Sequence, residues 1–449
     1  MIPIALHDRT FDVIGVGFGP SNLALAIALD EAARRERPGL AFHFVEKQPH
    51  FTWHGGMLLP DSDMQISFLK DLVSLRDPTS PFTFVNYLHE KGRLTAFINR
   101  KTFFPSRIEF NDYLRWAASC FAEHCSYGEE VVALEPAAER DGTVSAFAVR
   151  SRAADGTERL RRARNVVIAA GGAPQLPECF AALAGDTRIM HSSRYLDRIA
   201  GLGLTDAPAT RIAVVGGGQS AAEIFCDLAG RFGRAAIDLL VRGRALKPAD
   251  DSPFVNEIFD PEGTGAFFGQ SQAARHAFLD EFRNTNYAVV DHDLIQRIYD
   301  MLYEQRVAGG NRLALRSGRA VVAAAADRDG ITLTLAGSEP GAAEERRYDA
   351  VVLATGYRRG LDRRLLAPLA PYLAGGTVDR DYRLPMAEAC EAGLFVQGQS
   401  ETTHGLSDTL LSVVAVRSRE IATAIVERLP PPPLPAEHFM RPVRLAASS

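Results

Sequence analysis

The segment FDVIGVGFGPSNLALA, residues 11–26, joins a short apolar run to a turn with alternating glycines and then to an alanine- and leucine-rich helix. This order is typical of a dinucleotide-binding unit, in which the free N–H groups at a helix N-terminus bind a pyrophosphate. Gly15, Gly17 and Gly19 keep side chains out of the turn. Pro20 replaces the third glycine of the usual pattern. Proline is acceptable there because its missing N–H would be unpaired at the first helical position.

A second segment of the same kind, RIAVVGGGQSAAE, occupies residues 211–223. Each glycine turn is followed by a further strand-like run, and the residue that ends this run distinguishes the ligands. The first run ends at Glu46, whose carboxylate accepts hydrogen bonds from ribose hydroxyls and repels a 2′-phosphate. The second ends at Arg242, with Arg244 close by, and arginine suits the 2′-phosphate of NADP. The chain therefore reads as an NADPH-dependent flavoprotein with FAD in the first half.

These units predict an α/β protein with two Rossmann-like dinucleotide-binding domains and a small helical insert. Apolar runs at 165–172 and 349–357 look like strands that return the chain between the domains, and the runs Ser271–Phe282 and Asp291–Arg306 look helical. Consecutive prolines after Leu429 predict an extended tail. The expected parts are the FAD domain at 1–177, the NADPH domain at 178–250, the helical substrate-binding insert at 251–312, the return of the NADPH domain at 313–345, and the rest of the FAD domain with the tail at 346–449.

Composition excludes several other classes of protein. The 449 residues are 46% hydrophobic and 23% charged, and the formal net charge is −5. This balance suits a globular protein and offers no basic surface for nucleic acid. No apolar stretch has the roughly 18 residues that a membrane-spanning helix needs, and the N-terminus has no export signal. Five cysteines, an odd number, make no disulfide framework. We predict a cytoplasmic protein without a metal site and leave a homo-oligomer open.

Cys120 and Cys125 raise the alternative of a flavoprotein that reduces a disulfide. They lie at the end of a helix-like run without a glycine turn, far from the first glycine motif, and no CxxC occurs in the chain. This disfavours a redox-active pair. Two classes remain: an enzyme whose reduced flavin reacts with dioxygen, and an NADPH-flavin reductase that passes electrons to a quinone or a protein.

Lys70 lies in an apolar setting within the segment from residue 58 to residue 75. A cation in such surroundings needs an anionic partner, which could be Asp71 or a carboxylate of the substrate. Further along, Asn256 and Asn286 lie among aromatic residues. An asparagine side chain offers both a donor and an acceptor, which suits a zwitterionic ligand.

Motifs along nearly the whole chain resemble those of microbial N-hydroxylating flavin monooxygenases. They are GVGFGPSNLALA (15–26), MQISFLKDLVSLRDPTSPFTFVNYL (64–88), KPADDSPFVNEIFDP (247–261), NTNYAVV (284–290) and THGLSDTLLSV (403–413). Within this family the chain is most similar to the L-ornithine N5-monooxygenases. The resemblance implies NADPH-dependent hydroxylation of the side-chain amine of L-ornithine by dioxygen, through a C4a-hydroperoxyflavin, in siderophore biosynthesis. An L-lysine N6-hydroxylase is the alternative within the family.

The resemblance also implies the site residues. It makes Asn286 and Gln65 the catalytic candidates, with Asn286 matching both the substrate and the NADP contacts. The amino acid contacts are Lys70, Asn256, Glu257, Ile258, Phe259, Asn286 and Ser412. The FAD contacts are Gly15, Gly17, Gly19, Pro20, Glu46, Lys47, Trp53, His54, Gln65, Val131, Thr409, Leu410 and Leu411. The NADP contacts are Gly218, Gln219, Ser220, Ala221, Arg242, Asn286, Tyr287 and Ala288.

Overall fold

The computed structural model describes residues 5–140, 142–285, 287–337 and 343–431. The strands are β1 (Ala5–Val16), β2 (Phe42–Glu46), β3 (Cys125–Tyr127), β4 (Glu129–Arg140), β5 (Thr143–Ala153), β6 (Glu158–Ile168), β7 (Ala173–Pro174), β8 (Ile189–His191), β9 (Arg211–Val215), β10 (Ala236–Val241), β11 (Leu313–Ser317), β12 (Ala320–Asp327), β13 (Gly330–Ala336), β14 (Ala343–Tyr348), β15 (Ala350–Leu353), β16 (Tyr357–Arg358) and β17 (Gly393–Val396). The helices are α1 (Pro20–Arg35), α2 (Phe84–Glu90), α3 (Leu94–Asn99), α4 (Arg107–Ser119), α5 (Tyr195–Ile199), α6 (Gln219–Arg231), α7 (Pro253–Asn256), α8 (Gly263–Phe268), α9 (Gln272–Phe282), α10 (His292–Val307), α11 (Arg363–Leu366), α12 (Glu401–His404) and α13 (Val414–Arg428).

The first sheet has the strand order β3-β2-β1-β6-β5-β4, and β17 also pairs with β6. β1 runs parallel to β2 and β6, and β6 runs parallel to β17, whereas β5 and β4 form an antiparallel extension. The carboxyl ends of the parallel strands therefore meet at one edge, which is where β1 leads into the first glycine turn. α1 buries its apolar residues from Leu23 to Leu29 and packs against α13 near the other end of the chain.

The second sheet has the order β11-β10-β9-β15-β8, and all of its pairings are parallel. β9 leads into the second glycine turn and α6, so this sheet repeats the construction of the first. A small antiparallel sheet, β12-β13-β14, lies beside it. The fold class predicted from the sequence, two dinucleotide-binding units in an α/β protein, is confirmed.

The structure moves two of the expected boundaries. β15 pairs with β9 and β8, so the second sheet continues to Leu353, beyond the predicted limit at 345. α10 packs into the core of the second sheet through the buried Ile298 and Leu302. It therefore completes that core, and the insert proper is limited to α7–α9. The two helical runs expected inside 251–312 appear as α9 and α10, with Ser271 and Asp291 as their N-cap residues. The tail beyond residue 431 lies outside the described residues.

Two general features of the described ranges bear on function. No helix in them combines the length and the apolar character needed to cross a membrane. The same ranges contain no group of three or more His, Cys, Asp or Glu side chains able to hold a metal ion.

A buried ion pair ties the C-terminal helix to the start of α1. Arg417 and Asp408 are each 1% exposed, and their side chains are 3.1 Å apart. Arg417 also donates to Ser21 Oγ at 2.9 Å, while Asp408 accepts from the backbone N–H of Ser400 at 2.6 Å. The contacts join α13, the 400–409 segment and the first turn of α1. A buried pair of this kind is costly to break because the remaining charge keeps its desolvation penalty.

We therefore expect Arg417→Met to lower the free energy of unfolding by about 3–5 kcal/mol, because Asp408 is left buried without its cation. The measurement is chemical denaturation of the purified variant. Arg419→Met is the matched control. Arg419 lies on the same helix and pairs with Glu36, but the two side chains are 36% and 39% exposed. Its loss should cost about 1 kcal/mol or less. Equal effects of the two substitutions would contradict the structural role of Arg417.

Candidate active site

The first glycine turn is built so that a ligand, and no side chain, lies against the start of α1. Gly17 has φ +85°, and a Cβ at this position would lie 2.7 Å from the carbonyl oxygen of Ala169. Gly19 is the N-cap of α1, and a Cβ there would meet no protein atom within 4 Å. Pro20 occupies the first turn as expected. The turn leaves open space in front of the free N–H groups of the helix, which is what a pyrophosphate requires.

Polar side chains of α1 and of the segment that follows β17 complete this side of the site. Asn22 donates to the carbonyl oxygen of Gly17 at 2.6 Å, and Gln397 donates to Asn22 at 3.0 Å. Within the described residues, the buried oxygens Oε1 of Gln397, Oε1 of Gln399 and Oγ of Ser400 have no hydrogen-bond partner. Buried polar atoms are normally paired, so these atoms fit a ligand with hydroxyl or N–H groups, such as a flavin dinucleotide. Sequence reasoning did not identify these three side chains.

Glu46 is held at the end of β2 by the backbone. One carboxylate oxygen accepts from the N–H of Phe18 at 2.7 Å and the other from the N–H of Gln48 at 2.8 Å. Each oxygen keeps a lone pair with which it can accept from a ribose hydroxyl. Lys47 is exposed beside Glu46, and β4, which carries Val131, packs against β2. Glu46 and Lys47 thus lie at the end of β2, and Val131 lies on a strand that contacts β2. All three are among the expected FAD residues.

His54 lies between two aromatic rings and carries an unusual backbone. Its φ is +51°, in the left-handed region that residues other than glycine rarely adopt. Its ring centroid is 4.9 Å from that of Trp53 and 6.0 Å from that of Tyr357. Desolvation, followed by the positive charges of Arg107 and Arg359, lowers the pKa of His54 to about 4. The imidazole is therefore neutral at pH 7.

The second glycine turn is also packed closely against other protein atoms. Gly216 has φ +154°, and a Cβ there would lie 2.3 Å from the carbonyl oxygen of Ala354. A Cβ on Gly218 would lie 3.6 Å from Cα of Ala288, so the 287–291 segment covers this turn. α6 begins directly after the turn with Gln219, Ser220 and the buried Ala221. Arg242 is exposed just after β10, in a position open to a 2′-phosphate. The residues fit NADP.

Two sets of polar contacts join the two dinucleotide units. Arg107 of α4 donates to both carboxylate oxygens of Glu223 of α6, at 2.8 Å each. Gln65 donates to Oδ1 of Asp291 at 2.9 Å, and Gln219 donates to Oδ2 of Asp291 at 2.9 Å and to Glu223 at 3.0 Å. The five side chains therefore form one network, which we call the bridging network. Sequence reasoning identified Gln65 and Gln219 in it and missed the other three.

Asp71, one of the two anionic partners considered for Lys70, is engaged with the backbone instead. Asp71 accepts from the backbone N–H groups of Phe84, Val73 and Ser74 at 2.7, 2.9 and 2.6 Å, so its carboxylate caps the local chain. The ammonium group of Lys70 lies 3.5 Å from Oδ1 of Asp260. Asp260 belongs to the insert, immediately after the predicted substrate residues 256–259. Lys70 therefore faces the insert across the site, with its side chain 24% exposed.

We call the region where Lys70 meets the insert the gap, and the predicted substrate residues 256–259 adjoin it because they directly precede Asp260. The turn Glu257–Phe259, which includes Ile258, packs against Leu406–Thr409. Asn256 and Glu257 are exposed, and Asn256 donates to the carbonyl oxygen of Asp251 at 2.9 Å. Leu410 and Leu411 are partly buried, and Ser412 is 2% exposed.

Tyr287 connects the NADP side of the site to the 401–409 segment. Its hydroxyl donates to the carboxylate of Glu401 and lies 3.5 Å from the hydroxyl of Thr409. Asn286, expected to contact both ligands, lies outside the described residues. Tyr287 therefore links the end of the insert to the 401–409 segment.

The cysteines do not form a redox pair. All five are free, and Cys120 is exposed. Desolvation, followed by the negative charge of Glu46, raises the pKa of Cys125 to about 12. A thiol with such a pKa is protonated at neutral pH and is a poor nucleophile. The geometry disfavours thiol-mediated electron transfer.

Comparisons with known proteins agree with this architecture. The model of the family described as L-lysine 6-monooxygenase/L-ornithine 5-monooxygenase matches residues 9–359. The chain is similar to the L-ornithine N(5)-monooxygenase of Pseudomonas aeruginosa, with 51% identity over 420 residues and 94% of each chain covered. It is similar to the solved structure of ornithine hydroxylase (PvdA) from Pseudomonas aeruginosa, with 50% identity and a TM-score of 0.89 over 94% of this chain and 100% of that chain. The ornithine N-hydroxylase KtzI of Kutzneria sp. 744, named with reduced FAD, NADP+ and L-ornithine, has 40% identity and a TM-score of 0.87 over 94% of this chain and 100% of that chain.

The open space at Gly19 generates a prediction about flavin binding. We expect Gly19→Ala to lower the FAD content of the purified protein at least fivefold, since the added methyl group meets only a ligand. The apoprotein should lose no more than about 1 kcal/mol, the cost of a poorer N-cap. FAD absorbance per chain and thermal unfolding of the apoprotein measure the two effects. Gly185→Ala is the control, because its Cβ also meets no protein atom within 4 Å. Wild-type FAD content in Gly19→Ala would show that the pyrophosphate does not bind at this turn.

Proposed function

The chain belongs to the L-lysine 6-monooxygenase/L-ornithine 5-monooxygenase family, and from this premise we propose that it hydroxylates the side-chain amine of L-ornithine with FAD, NADPH and dioxygen. The observation that carries the proposal is the similarity, over almost the full length of both chains, to an L-ornithine N(5)-monooxygenase. The two glycine turns and the position of Lys70 opposite the insert support it. The product suits siderophore biosynthesis. The cytoplasm, whose reducing conditions keep cysteines free, suits this chain.

The two cofactors belong to different turns. We assign FAD to the first turn, where the unpaired oxygens of Gln397 and Gln399 and the carboxylate of Glu46 are available. We assign NADPH to the second, where Arg242 favours a 2′-phosphate. When bound, NADPH supplies a hydride and FAD is the centre at which dioxygen reacts. The protein holds the two ring systems and the amine in one geometry and excludes bulk water.

Lys70 is the residue that selects an amino acid as substrate. Its ammonium group lies where the first unit faces the insert, and its partner Asp260 is 46% exposed at the side chain. A substrate carboxylate can therefore reach Lys70 from the gap and compete with Asp260 for the cation. A charge-assisted contact of this kind fixes the α-carbon end of the substrate and leaves the side-chain amine to extend toward the flavin. We keep Asn256, which is exposed, and Ser412, which is buried, as further polar partners.

The amine must react in its neutral form, yet an ordinary alkyl ammonium group has a pKa of about 10.4. A free carboxylate nearby would stabilise the charged form and slow the reaction. Two carboxylates of the site are instead engaged with other groups. Asp291 accepts from two glutamines, and Glu401 accepts from Tyr287. The site therefore lowers the amine pKa mainly by desolvation.

Asn286 and Gln65 remain our proposed catalytic residues. Asn286 directly precedes Tyr287 in the sequence, and Tyr287 contacts the 401–409 segment. This position in the sequence suits a residue that joins substrate and NADP. Gln65 contacts Asp291 at the boundary of the two dinucleotide units. Both residues would orient ligands, and neither needs to act as a nucleophile.

One assay tests the proposed function against its alternatives. NADPH oxidation is followed with L-ornithine, with L-lysine and with neither, while hydroxylated product and hydrogen peroxide are quantified. We expect hydroxyornithine in near-stoichiometric ratio to NADPH. Hydroxylysine as the better product would favour the lysine hydroxylase. Rapid electron transfer to a quinone without any hydroxylated product would favour the reductase.

Arg242 generates a prediction about nicotinamide selectivity. A charge-assisted hydrogen bond to a 2′-phosphate contributes roughly 1.5–3 kcal/mol. We expect Arg242→Ala to raise the KM for NADPH roughly ten- to a hundredfold, with little change for NADH, which has no 2′-phosphate. FAD content is the control, since this residue lies at the other dinucleotide unit. An unchanged KM for NADPH would transfer the role to Arg244.

Lys70 generates a prediction about the substrate class. We expect Lys70→Ala to raise the KM for ornithine about thirtyfold, equivalent to roughly 2 kcal/mol, and to increase the share of NADPH that ends as hydrogen peroxide. The loss leaves Asp260 without its cation, and its negative charge then repels the substrate carboxylate. Lys91→Ala, an exposed lysine at the end of α2, controls for the change in net charge. A wild-type KM and coupling in Lys70→Ala would make Lys70 a structural partner of Asp260 only.

A further inference from the structure

We propose that Asp291 is a positioning residue that holds the NADP-binding turn in register with the flavin unit. The inference rests on the proposed function for its choice of cofactors and adds a residue that the resemblance did not assign. It follows from where the hydrogen bonds of this one carboxylate go. Asp291 lies at the junction of the insert, the second sheet and the first unit.

Each carboxylate oxygen of Asp291 is bound by a glutamine from a different dinucleotide unit. Oδ1 accepts from Gln65 of the first unit at 2.9 Å, and Oδ2 accepts from Gln219 of the second at 2.9 Å. The backbone N–H of Asp291 also donates to Oε1 of Gln219 at 2.9 Å, so these two residues make a two-point contact. Hydrogen bonds to a charged acceptor are stronger than those between neutral groups. The carboxylate therefore acts as a common anchor.

The side chain of Asp291 does not cap its own helix, which is the usual role of an aspartate at an N-cap. Asp291 is the N-cap of α10, yet its side chain makes no cap hydrogen bond with that helix. Ser106 and Ser271, the N-caps of α4 and α9, both accept from a backbone N–H three residues on. An aspartate N-cap normally stabilises a helix in the same way. The side chain of Asp291 is thus directed to the two glutamines at the expense of its own helix.

The anchor acts on the residues that form the NADP-binding turn. Gln219 is the first residue of α6 and follows Gly218 directly. The backbone next to Asp291 is fixed as well, because Val290 donates to Lys247 and accepts from Ala249, both at 2.9 Å. A Cβ on Gly218 would lie 3.6 Å from Ala288 in the same segment. Removing the carboxylate frees Gln219 and loosens the contact between the turn and its cover.

The experiment compares Asp291→Ala, Asp291→Asn and the control Asp293→Ala. Asp293 lies in the first turn of the same helix with a fully exposed side chain, so its loss reproduces the change in charge at the helix N-terminus without touching the network. The measurements are the Kd for NADP+ of the FAD-loaded protein by calorimetry, the FAD content, the melting temperature, and hydroxyornithine formed per NADPH oxidised.

We expect Asp291→Ala to raise the Kd for NADP+ roughly tenfold and to lower hydroxyornithine per NADPH at least twofold. FAD content should not change, and the melting temperature should stay within about 3 °C of the wild type. Asp291→Asn keeps one oxygen acceptor, so its Kd should fall between those of the wild type and Asp291→Ala. Asp293→Ala should match the wild type in all four measurements.

A Kd for NADP+ within twofold of the wild type in both Asp291 variants would overturn the proposal. Equal increases in Asp291→Ala and Asp293→Ala would also overturn it, because the effect would then come from helix charge. If Asp291→Ala is poorly folded, the more conservative Asp291→Asn decides by the same Kd. A wild-type enzyme that makes no hydroxyornithine would refute the proposed function and still leave the Kd comparison as the test of Asp291.

Discussion

The ion pair between Arg107 and Glu223 sets the separation of the two dinucleotide units, and the active site depends on that separation. The side chains are 12% and 5% exposed, and the guanidinium group contacts both carboxylate oxygens. Burial of either charge alone would cost several kcal/mol, so the pair is stable only when α4 and α6 are in contact. A two-point contact also fixes direction as well as distance. The contact consequently fixes how α4 of the first unit meets α6 of the second.

The insert and its continuation contact both the proposed cofactor site and the proposed substrate site. On one side, its continuation covers the second glycine turn, with Ala288 next to Gly218. On the other, Asp260 faces Lys70, and the adjoining turn packs against Leu406–Thr409. A ligand that displaces one of these contacts shifts a segment that also forms part of the other site. Binding of NADP and of the amino acid should therefore be linked, since each ligand orders part of the surface that the other uses.

Local signals were predictable from the sequence, and long-range pairings were not. The glycine turn, Pro20 at the start of α1 and the two helices of the 271–307 region follow from neighbouring residues, because caps and turns are short-range features. Lys70 illustrates the limit. Its neighbour Asp71 was a reasonable partner by distance along the chain, but the backbone N–H of Phe84 and two others occupy that carboxylate. Asp260, which pairs with Lys70, is distant in sequence and exposed.

The flavin site depends on segments that are far apart in the sequence. The second sheet is formed within residues 189–353, so the NADP unit is an insertion in the flavin unit. The first sheet needs β17, whose register with β6 brings Gln397 beside the first glycine turn. It also needs α13, from which Arg417 reaches back to Ser21. The FAD site therefore combines segments from both ends of the chain, and flavin binding stabilises the contacts that hold these segments together.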